Sequence, residues 1–220
     1  MKLKHLGMCG IISLLSYTAM VVFSPLAYPG YDWLSMAVSD LSAVGAPSAA
    51  LAERLNALFG PCAVVCVMAV CVGAAGCRSR LLKTGIGFFA AMEWITAVGY
   101  KMFPLVQGET VLAFQNAMHI AVTVLVVLFS IISLVLIAIG GRKESISALS
   151  SWATAFLAAM MIGAFGTGVL PKSVFGLFER FSTFSAVIFN AVLGICLMKD
   201  MFPVQDSAEL RKQTEAEAAV

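Results

Sequence analysis

LAFQNAMHIAVTVLVVLFSIISLVLIAI, residues 112–139, is the stretch that decides the fold of this chain. It contains no Asp, Glu, Lys or Arg, and an α-helix of about 20 apolar residues spans the roughly 30 Å hydrocarbon core of a bilayer. The rest of the chain has the same character: 60% of its 220 residues are hydrophobic, only 12% are charged, and the mean hydropathy is +0.95. Soluble domains carry about 25% charged residues, so the composition excludes a soluble protein.

Apolar runs of similar length recur along the chain, and Gly, Pro or basic residues separate them. We predict an all-α fold, a polytopic transmembrane bundle of six helices, at about residues 6–26, 55–77, 84–103, 112–139, 149–169 and 174–198. The transmembrane domain then occupies residues 1–200. Residues 201–220 are mostly polar and lack an apolar stripe, so we predict a polar cytoplasmic tail there.

The distribution of Lys and Arg predicts the orientation in the cell membrane. Cytoplasmic loops of membrane proteins carry an excess of these residues. With the N-terminus inside, ten basic residues fall on the inner side and four on the outer side. We therefore predict that both termini are cytoplasmic and that residues 28–54 are extracytoplasmic. The net charge of +2 gives no basic face for nucleic acid, and we predict no such partner.

The first outer connector is the only long one in the predicted topology, from Ala27 to Arg54. Apolar and polar residues alternate in it, and Asp32 is a residue type that caps helix N-termini. We predict a short interfacial or re-entrant helix that begins at Trp33 and ends before the Gly45-Ala46-Pro47 sequence, lying over the outer mouth of the bundle. The alternative is a simple interfacial anchor.

Polar residues inside a membrane cost free energy unless they are paired or solvated, so their positions are informative. Here they concentrate in the outer half of the bundle. Helix 3 carries Glu93 and Tyr100 on one face, and helix 4 carries Gln115 and His119 on one face. Because helices 3 and 4 are joined by a short connector, Glu93 and His119 reach similar depths on adjoining helices, and we predict that they pair. The alternative is that each makes only an interhelical packing contact.

Helix 5 carries small residues every four positions, at Ala155, Ala159, Gly163 and Thr167. Small residues at this spacing allow another helix to approach closely. We predict a tight helix–helix contact along this face.

Several ordered motifs resemble those of a known family. They are Val38-Ser39-Asp40-Leu41-Ser42-Ala43, Leu55-Asn56-Ala57-Leu58-Phe59-Gly60, Met102-Phe103-Pro104 with Met118-His119, and Gly176-Leu177-Phe178-Glu179-Arg180. Their order and spacing resemble domain of unknown function family 998, a group of small prokaryotic membrane proteins, over about residues 6–198. The resemblance implies a six-helix fold and no established activity. It covers Asp40, Asn56, His119, Glu179 and Arg180, whereas Glu93 and Lys101 lie outside its pattern.

We predict a polar site that opens toward the outer face and binds a lipid or a small amphipathic molecule. Asp40 and His119 would be polar contacts, and Arg180 would take an anionic headgroup. The full candidate set is Asp40, Asn56, Glu93, Tyr100, Gln115, His119, Glu179 and Arg180. The predicted partners are membrane lipids and this ligand, with no metal and no cofactor, because the bundle holds a single histidine. The alternatives are a membrane hydrolase or transferase that uses His119 with an acid, a small transporter, and a structural subunit. The sequence carries no signal of oligomeric state.

Overall fold

The computed structural model describes residues 2–107 and 113–202 of the chain. Its α-helices are α1 Met8–Phe23, α2 Ala49–Leu55, α3 Phe59–Gly73, α4 Arg80–Met102, α5 Ala113–Lys143, α6 Ser147–Val169 and α7 Phe175–Met198. Six helical segments are long and apolar enough to cross a membrane: Leu3–Ala27, Ala49–Gly76, Arg80–Met102, Phe114–Lys143, Ser147–Val169 and Lys172–Met198. The predicted six-helix, multi-pass transmembrane fold is confirmed.

The second span begins with a short separate helix, α2, which lies in the predicted connector just before the helix predicted at about residues 55–77. α2 ends at Leu55, with Asn56 as its C-cap, and α3 begins at Phe59. Pro61 lies in the first turn of α3, where its missing N–H group has no intrahelical partner to lose. The break therefore precedes Pro61 and lies close to the Leu55–Gly60 motif.

α7 is the central helix of the bundle. It packs against α1, α3 and α6, while α4 and α6 both pack against α5. In its most apolar window 61% of the residues are buried, against 28–39% in the other five spans. A larger share of α7 than of any other span therefore packs against protein.

The predicted close approach along the small-residue face of α6 is confirmed at Gly163. A Cβ atom placed there would lie 2.3 Å from Oγ of Ser182 and 2.5 Å from its backbone nitrogen. Only a residue without a side chain fits at this distance, so Gly163 sets the spacing between α6 and α7.

The bundle has two ends, which we name by their position. The terminal end holds residues 2–7, 74–79, 144–146 and 199–202, and the distal end holds residues 24–48, 103–107 and 170–174. At the terminal end Lys4 and Asp200 form an ion pair at 2.6 Å. Phe202 is buried in the core there, and the predicted tail lies outside the described residues from Pro203 onward.

The predicted interfacial helix starting at Trp33 is not formed. Asp32 does cap a turn, since its carboxylate accepts from the backbone of Leu34 and the hydroxyl of Ser35. These hydrogen bonds, that of Ser35 foremost, lower the pKa of Asp32. Beyond this turn, the first connector contains a single 3-10 turn at Ser39–Ser42.

The helix is absent because residues of α7 bind the backbone N–H and carbonyl groups that a helix in this segment would pair with each other. In an α-helix the N–H of Val38 would donate to the carbonyl of Leu34. Here Val38 N donates to Oε2 of Glu179 at 2.6 Å. The carbonyl of Leu34 accepts instead from the backbone N–H of Leu177 at 3.0 Å.

Candidate functional site

Arg180, near the distal end of α7, is the main anchor of the first connector. Its Nη1 atom donates to the carbonyl oxygens of Trp33 at 2.8 Å, Met36 at 3.2 Å and Gly176 at 2.7 Å. Its Nη2 atom donates to the hydroxyl of Tyr31 at 2.7 Å. The guanidinium therefore donates to the protein's own backbone and to Tyr31. These bonds use most of its N–H groups, which the sequence analysis expected to bind an anionic headgroup.

Gly176 lets the connector lie directly on α7. A Cβ atom at this position would be 2.1 Å from the carbonyl oxygen of Met36 and 2.7 Å from that of Trp33. The Val38–Ala43 and Gly176–Arg180 motifs, far apart in the sequence, are thus in contact, and at least part of their role is to hold this connector.

Asp40 and Glu179 bind adjacent amides of the connector. Oδ2 of Asp40 accepts from the backbone N–H of Ala37 at 2.8 Å, and Oε2 of Glu179 accepts from that of Val38 at 2.6 Å. The two carboxylates lie close enough for their charges to interact. Within residues 2–107 and 113–202 their second oxygens make no hydrogen bond, and Glu179 forms no ion pair with Arg180.

The polar face of α5 holds the connector that precedes it. Asn116 pairs with both backbone groups of Val106, at 3.0 and 3.2 Å. Gln115 donates to the carbonyl oxygens of Met102 at 3.3 Å and Pro104 at 3.5 Å. The sequence correctly placed Gln115 and His119 on one polar face.

His119 is held in a single orientation. Its Nδ1 atom lies 2.9 Å from the carbonyl oxygen of Phe103, and a carbonyl only accepts, so Nδ1 carries the proton. Nε2 is then an acceptor, and it has no hydrogen-bond partner among the described side chains and backbone. The ring is 9% exposed and packs on Tyr100, with ring centroids 5.0 Å apart. The hydroxyl of Tyr100 donates to Thr123 at 3.1 Å.

The two distal connectors are joined to each other, and we call residues 28–48 and 103–107 the distal cap. Val44 N donates to the carbonyl of Leu105 at 2.8 Å, and Gln107 N donates to that of Val44 at 3.0 Å. The side chain of Gln107 also donates to the carbonyl of Asp40 and accepts from the hydroxyl of Tyr28, both at 3.3 Å. Sequence reasoning missed Gln107, because nothing in its local pattern indicates a contact with the first connector.

Tyr17 of α1 is a second residue that sequence reasoning missed. It is buried beneath the distal cap, within hydrogen-bonding reach of Thr183 and within charge-interaction range of Glu179. Tyr100 lies within the same range of Glu179. We refer to the group formed by Tyr17, Asp40, Tyr100, His119 and Glu179 as the distal polar cluster.

Glu93 and Asn56 have other surroundings. Glu93 is 3% exposed and lies within hydrogen-bonding reach of Asn190 on α7. In the described chain it forms no ion pair with His119, so the predicted pair is not formed. The side chain of Glu93 lies near Asn190 of α7 rather than against His119 of α5. The Oδ1 atom of Asn56 is buried without a hydrogen-bond partner among the described residues.

Two shallow clefts, of about 300 and 520 Å³, lie at the terminal end rather than at the distal polar cluster. The first is bordered by Lys2, Lys4 and Phe202, and the second by Arg78, Lys143 and Glu144. Among the residues that the structure describes, no group of three His, Cys, Asp or Glu side chains is arranged to hold a metal ion.

Comparison with known proteins gives one match. No curated protein and no solved structure matches the chain significantly. The model of a family described as protein of unknown function (DUF998) matches residues 11–195, which include the distal polar cluster and its anchors on α7. The match covers most of the chain, and the protein therefore belongs to the DUF998 family of integral membrane proteins.

Proposed function

We propose that this protein binds the headgroup of a lipid, or of a small amphipathic molecule, in the distal polar cluster. The observation that carries this proposal is a set of hydrogen-bond acceptors without protein partners among the described residues. They are Nε2 of His119 and the second carboxylate oxygens of Asp40 and Glu179. These acceptors belong to buried or partly buried side chains at the distal end, and each is free to accept a hydrogen bond from a bound donor.

The acceptors also define the chemistry of the headgroup. Two carboxylates and an imidazole nitrogen favour a ligand that donates hydrogen bonds or carries positive charge. Arg180 is already bound to the distal cap, so an anionic headgroup is the weaker alternative. A primary ammonium or a hydroxyl-rich headgroup fits this site best, with its acyl chain on the lipid-facing surface of the helices.

The charge distribution supports an extracytoplasmic position for this site. Among the described residues, eight Lys and Arg residues fall on the side of the termini and four on the distal side. By the positive-inside rule the distal end faces away from the cytoplasm. The ligand would then come from the outer leaflet of the cell membrane.

Catalysis is the second candidate, and one observation favours it. The hydrogen bond from Nδ1 of His119 to Phe103 fixes the tautomer whose Nε2 is a base. A carbonyl or carboxylate that fixes the tautomer of a histidine in this way is common where the histidine transfers protons. Asp40 or Glu179 would supply the acidic partner for a hydrolase or transferase.

Two variants of His119 separate binding from packing. In His119→Asn the amide nitrogen replaces Nδ1 and keeps the hydrogen bond to Phe103, but no acceptor remains at Nε2. In His119→Gln the amide oxygen replaces the Nε2 acceptor, but the bond to Phe103 is lost. The measurement is the melting temperature of each variant in vesicles of phosphatidylcholine alone and of phosphatidylcholine mixed with phosphatidylethanolamine. The two lipids differ in whether the headgroup nitrogen carries donors.

If the site binds a donor headgroup, phosphatidylethanolamine raises the melting temperature of the wild type and of His119→Gln, but not that of His119→Asn. If His119 only fastens the connector, His119→Asn behaves as wild type with both lipids, and this result would overturn the proposal. If His119 is a general acid or base, both variants lose turnover by about 10²–10⁴-fold on the same lipids.

A further inference from the structure

Glu93 is a carboxyl group without a cationic partner in the interior of the bundle. It is 3% exposed, and no Lys, Arg or His forms an ion pair with it in the described part of the chain. Glu93 lies nine residues from the distal end of α4, which places it about 14 Å along the helix axis from that end. A bare carboxylate at this depth is costly, so the group is expected to hold a proton.

Asn190 on α7 offers the matching partner. One N–H of its amide donates to the carbonyl of Ala63 at 3.2 Å, and the amide side chain lies close to Glu93. Its Oδ1 atom is buried without a partner among the described residues, and the side chain is 1% exposed. A carboxylic acid donates through its O–H and accepts through its carbonyl oxygen, so it satisfies both Oδ1 and the second N–H of the amide.

The surroundings of this pair differ on its two sides. Toward the terminal end the core is closed: Phe89, Phe189 and Leu193 are fully buried, and the hydroxyl of buried Ser133 donates to the carbonyl of Gly85. Toward the distal end Thr96 and Tyr100 follow Glu93 on the same face of α4 and are only partly buried. The hydroxyl of Tyr100 continues this row to Thr123 of α5.

We propose that Glu93 and Asn190 form a proton-binding site inside the bundle, which exchanges its proton with the distal side through Thr96 and Tyr100. The proton leaves the carboxyl oxygen of Glu93 for a water or hydroxyl acceptor on the distal side and leaves a carboxylate, and the reverse step returns the proton and restores the neutral carboxyl group. The titratable group near enough to interact with Glu93 is the thiol of Cys66 on α3. From α7 the facing group is the neutral amide of Asn190, and on α5 the imidazole of His119 lies further toward the distal end. The proposal does not depend on ligand binding by the distal polar cluster.

Infrared spectroscopy of the protein in phosphatidylcholine vesicles tests the site directly. A protonated carboxyl group gives a carbonyl stretch that a carboxylate lacks. We expect such a band at neutral pH, its loss in Glu93→Gln, and its retention in Glu179→Gln. In Asn190→Leu, which keeps Glu93, the band should shift to higher wavenumber because the carboxyl loses its hydrogen bonds. A spectrum in which neither Glu93→Gln nor Asn190→Leu changes the band would overturn the proton-binding site.

Exchange of the same band in heavy water tests the route. Thr96→Val removes a hydroxyl on the distal side with little change in shape, and it should slow the exchange. Ser133→Ala is the matched control, because Ser133 is buried on the terminal side and donates to the carbonyl of Gly85 at 2.9 Å. Equal exchange rates in the wild type and Thr96→Val, or slowing by Ser133→Ala, would exclude the distal route.

Discussion

The guanidinium of Arg180 shows how single residues determine the distal end. It binds three carbonyl oxygens and one hydroxyl, and the rigid, planar shape of arginine suits such a set of acceptors. The sequence singled out Arg180 as a candidate headgroup contact, and the structure shows it bonded to the backbone of the first connector and to Tyr31. The residues around Arg180 do not indicate that the backbone of a distant connector lies against it. An arginine near a membrane surface can donate equally well to a lipid headgroup or to carbonyl oxygens.

Arg180→Lys should destabilise the protein although it keeps the charge. A lysine ammonium cannot reach the carbonyls of Trp33 and Met36 together with the hydroxyl of Tyr31, and losing a hydrogen bond from a charged donor costs about 1.5–3 kcal/mol. The melting temperature in detergent measures the effect. Arg54→Lys is the control, since Arg54 is exposed and should tolerate the change. Equal melting temperatures for the two variants would show that Arg180 does not anchor the connector.

At the scale of the helices, hydrophobic runs were sufficient to predict the fold. The six apolar runs became six spans, because length and composition decide insertion in a membrane. The sequence predicts the wrong local structure where hydrogen bonds to a distant segment outweigh the helix propensity of the local sequence. The Trp33 segment has alternating polarity and a capping Asp32, yet Glu179 and Leu177 take the backbone groups that its helix would need. The break between α2 and α3, at residues 56–58, was likewise not visible in the apolar pattern.

Gly163 determines how closely α6 and α7 pack. Gly163→Ala places a Cβ 2.3 Å from Oγ of Ser182 and 2.5 Å from its backbone nitrogen, so the helices must separate. Overpacking of this kind costs about 1–3 kcal/mol. Gly168→Ala on the same helix is the matched control, because a Cβ there meets nothing within 4 Å. Thermal unfolding in detergent should show a loss of stability in the first variant and none in the second, because Ala is the better helix former where space allows. A loss of similar size in both variants would show that close packing at Gly163 is not the cause.

At the scale of the whole molecule, the candidate site was predicted in part. The sequence placed Asp40, Tyr100, His119 and Glu179 in the outer half of the bundle. In the structure all four lie at the distal end, where His119 packs on Tyr100 and the carboxylates of Asp40 and Glu179 accept from adjacent amides. The structure separates Glu93 from them, because the direction of a side chain around its helix axis depends on packing. Three further candidates lie at the same end. Gln115 and Arg180 donate to backbone carbonyls, and Oδ1 of Asn56 has no partner among the described residues.

The orientation in the membrane follows from the same distribution of charge. We expect a cysteine at Ser42, exposed in the distal cap, to react with a membrane-impermeant reagent in intact cells. A cysteine at Ser147, exposed at the start of α6 on the terminal end, should react only after lysis. Both are introduced into a chain without its native cysteines. Labelling of Ser147→Cys but not Ser42→Cys in intact cells would place the distal polar cluster on the cytoplasmic side.

We propose above all that the distal polar cluster binds a lipid headgroup that donates hydrogen bonds. A high-resolution structure in bilayer discs containing phosphatidylethanolamine tests this most directly. We predict headgroup density beneath the distal cap, with a donor atom within hydrogen-bonding distance of Nε2 of His119 and of a carboxylate oxygen of Asp40 or Glu179. A map that resolves these side chains and shows Nε2 bonded to a protein group, with no density between it and the two carboxylates, would contradict the claim.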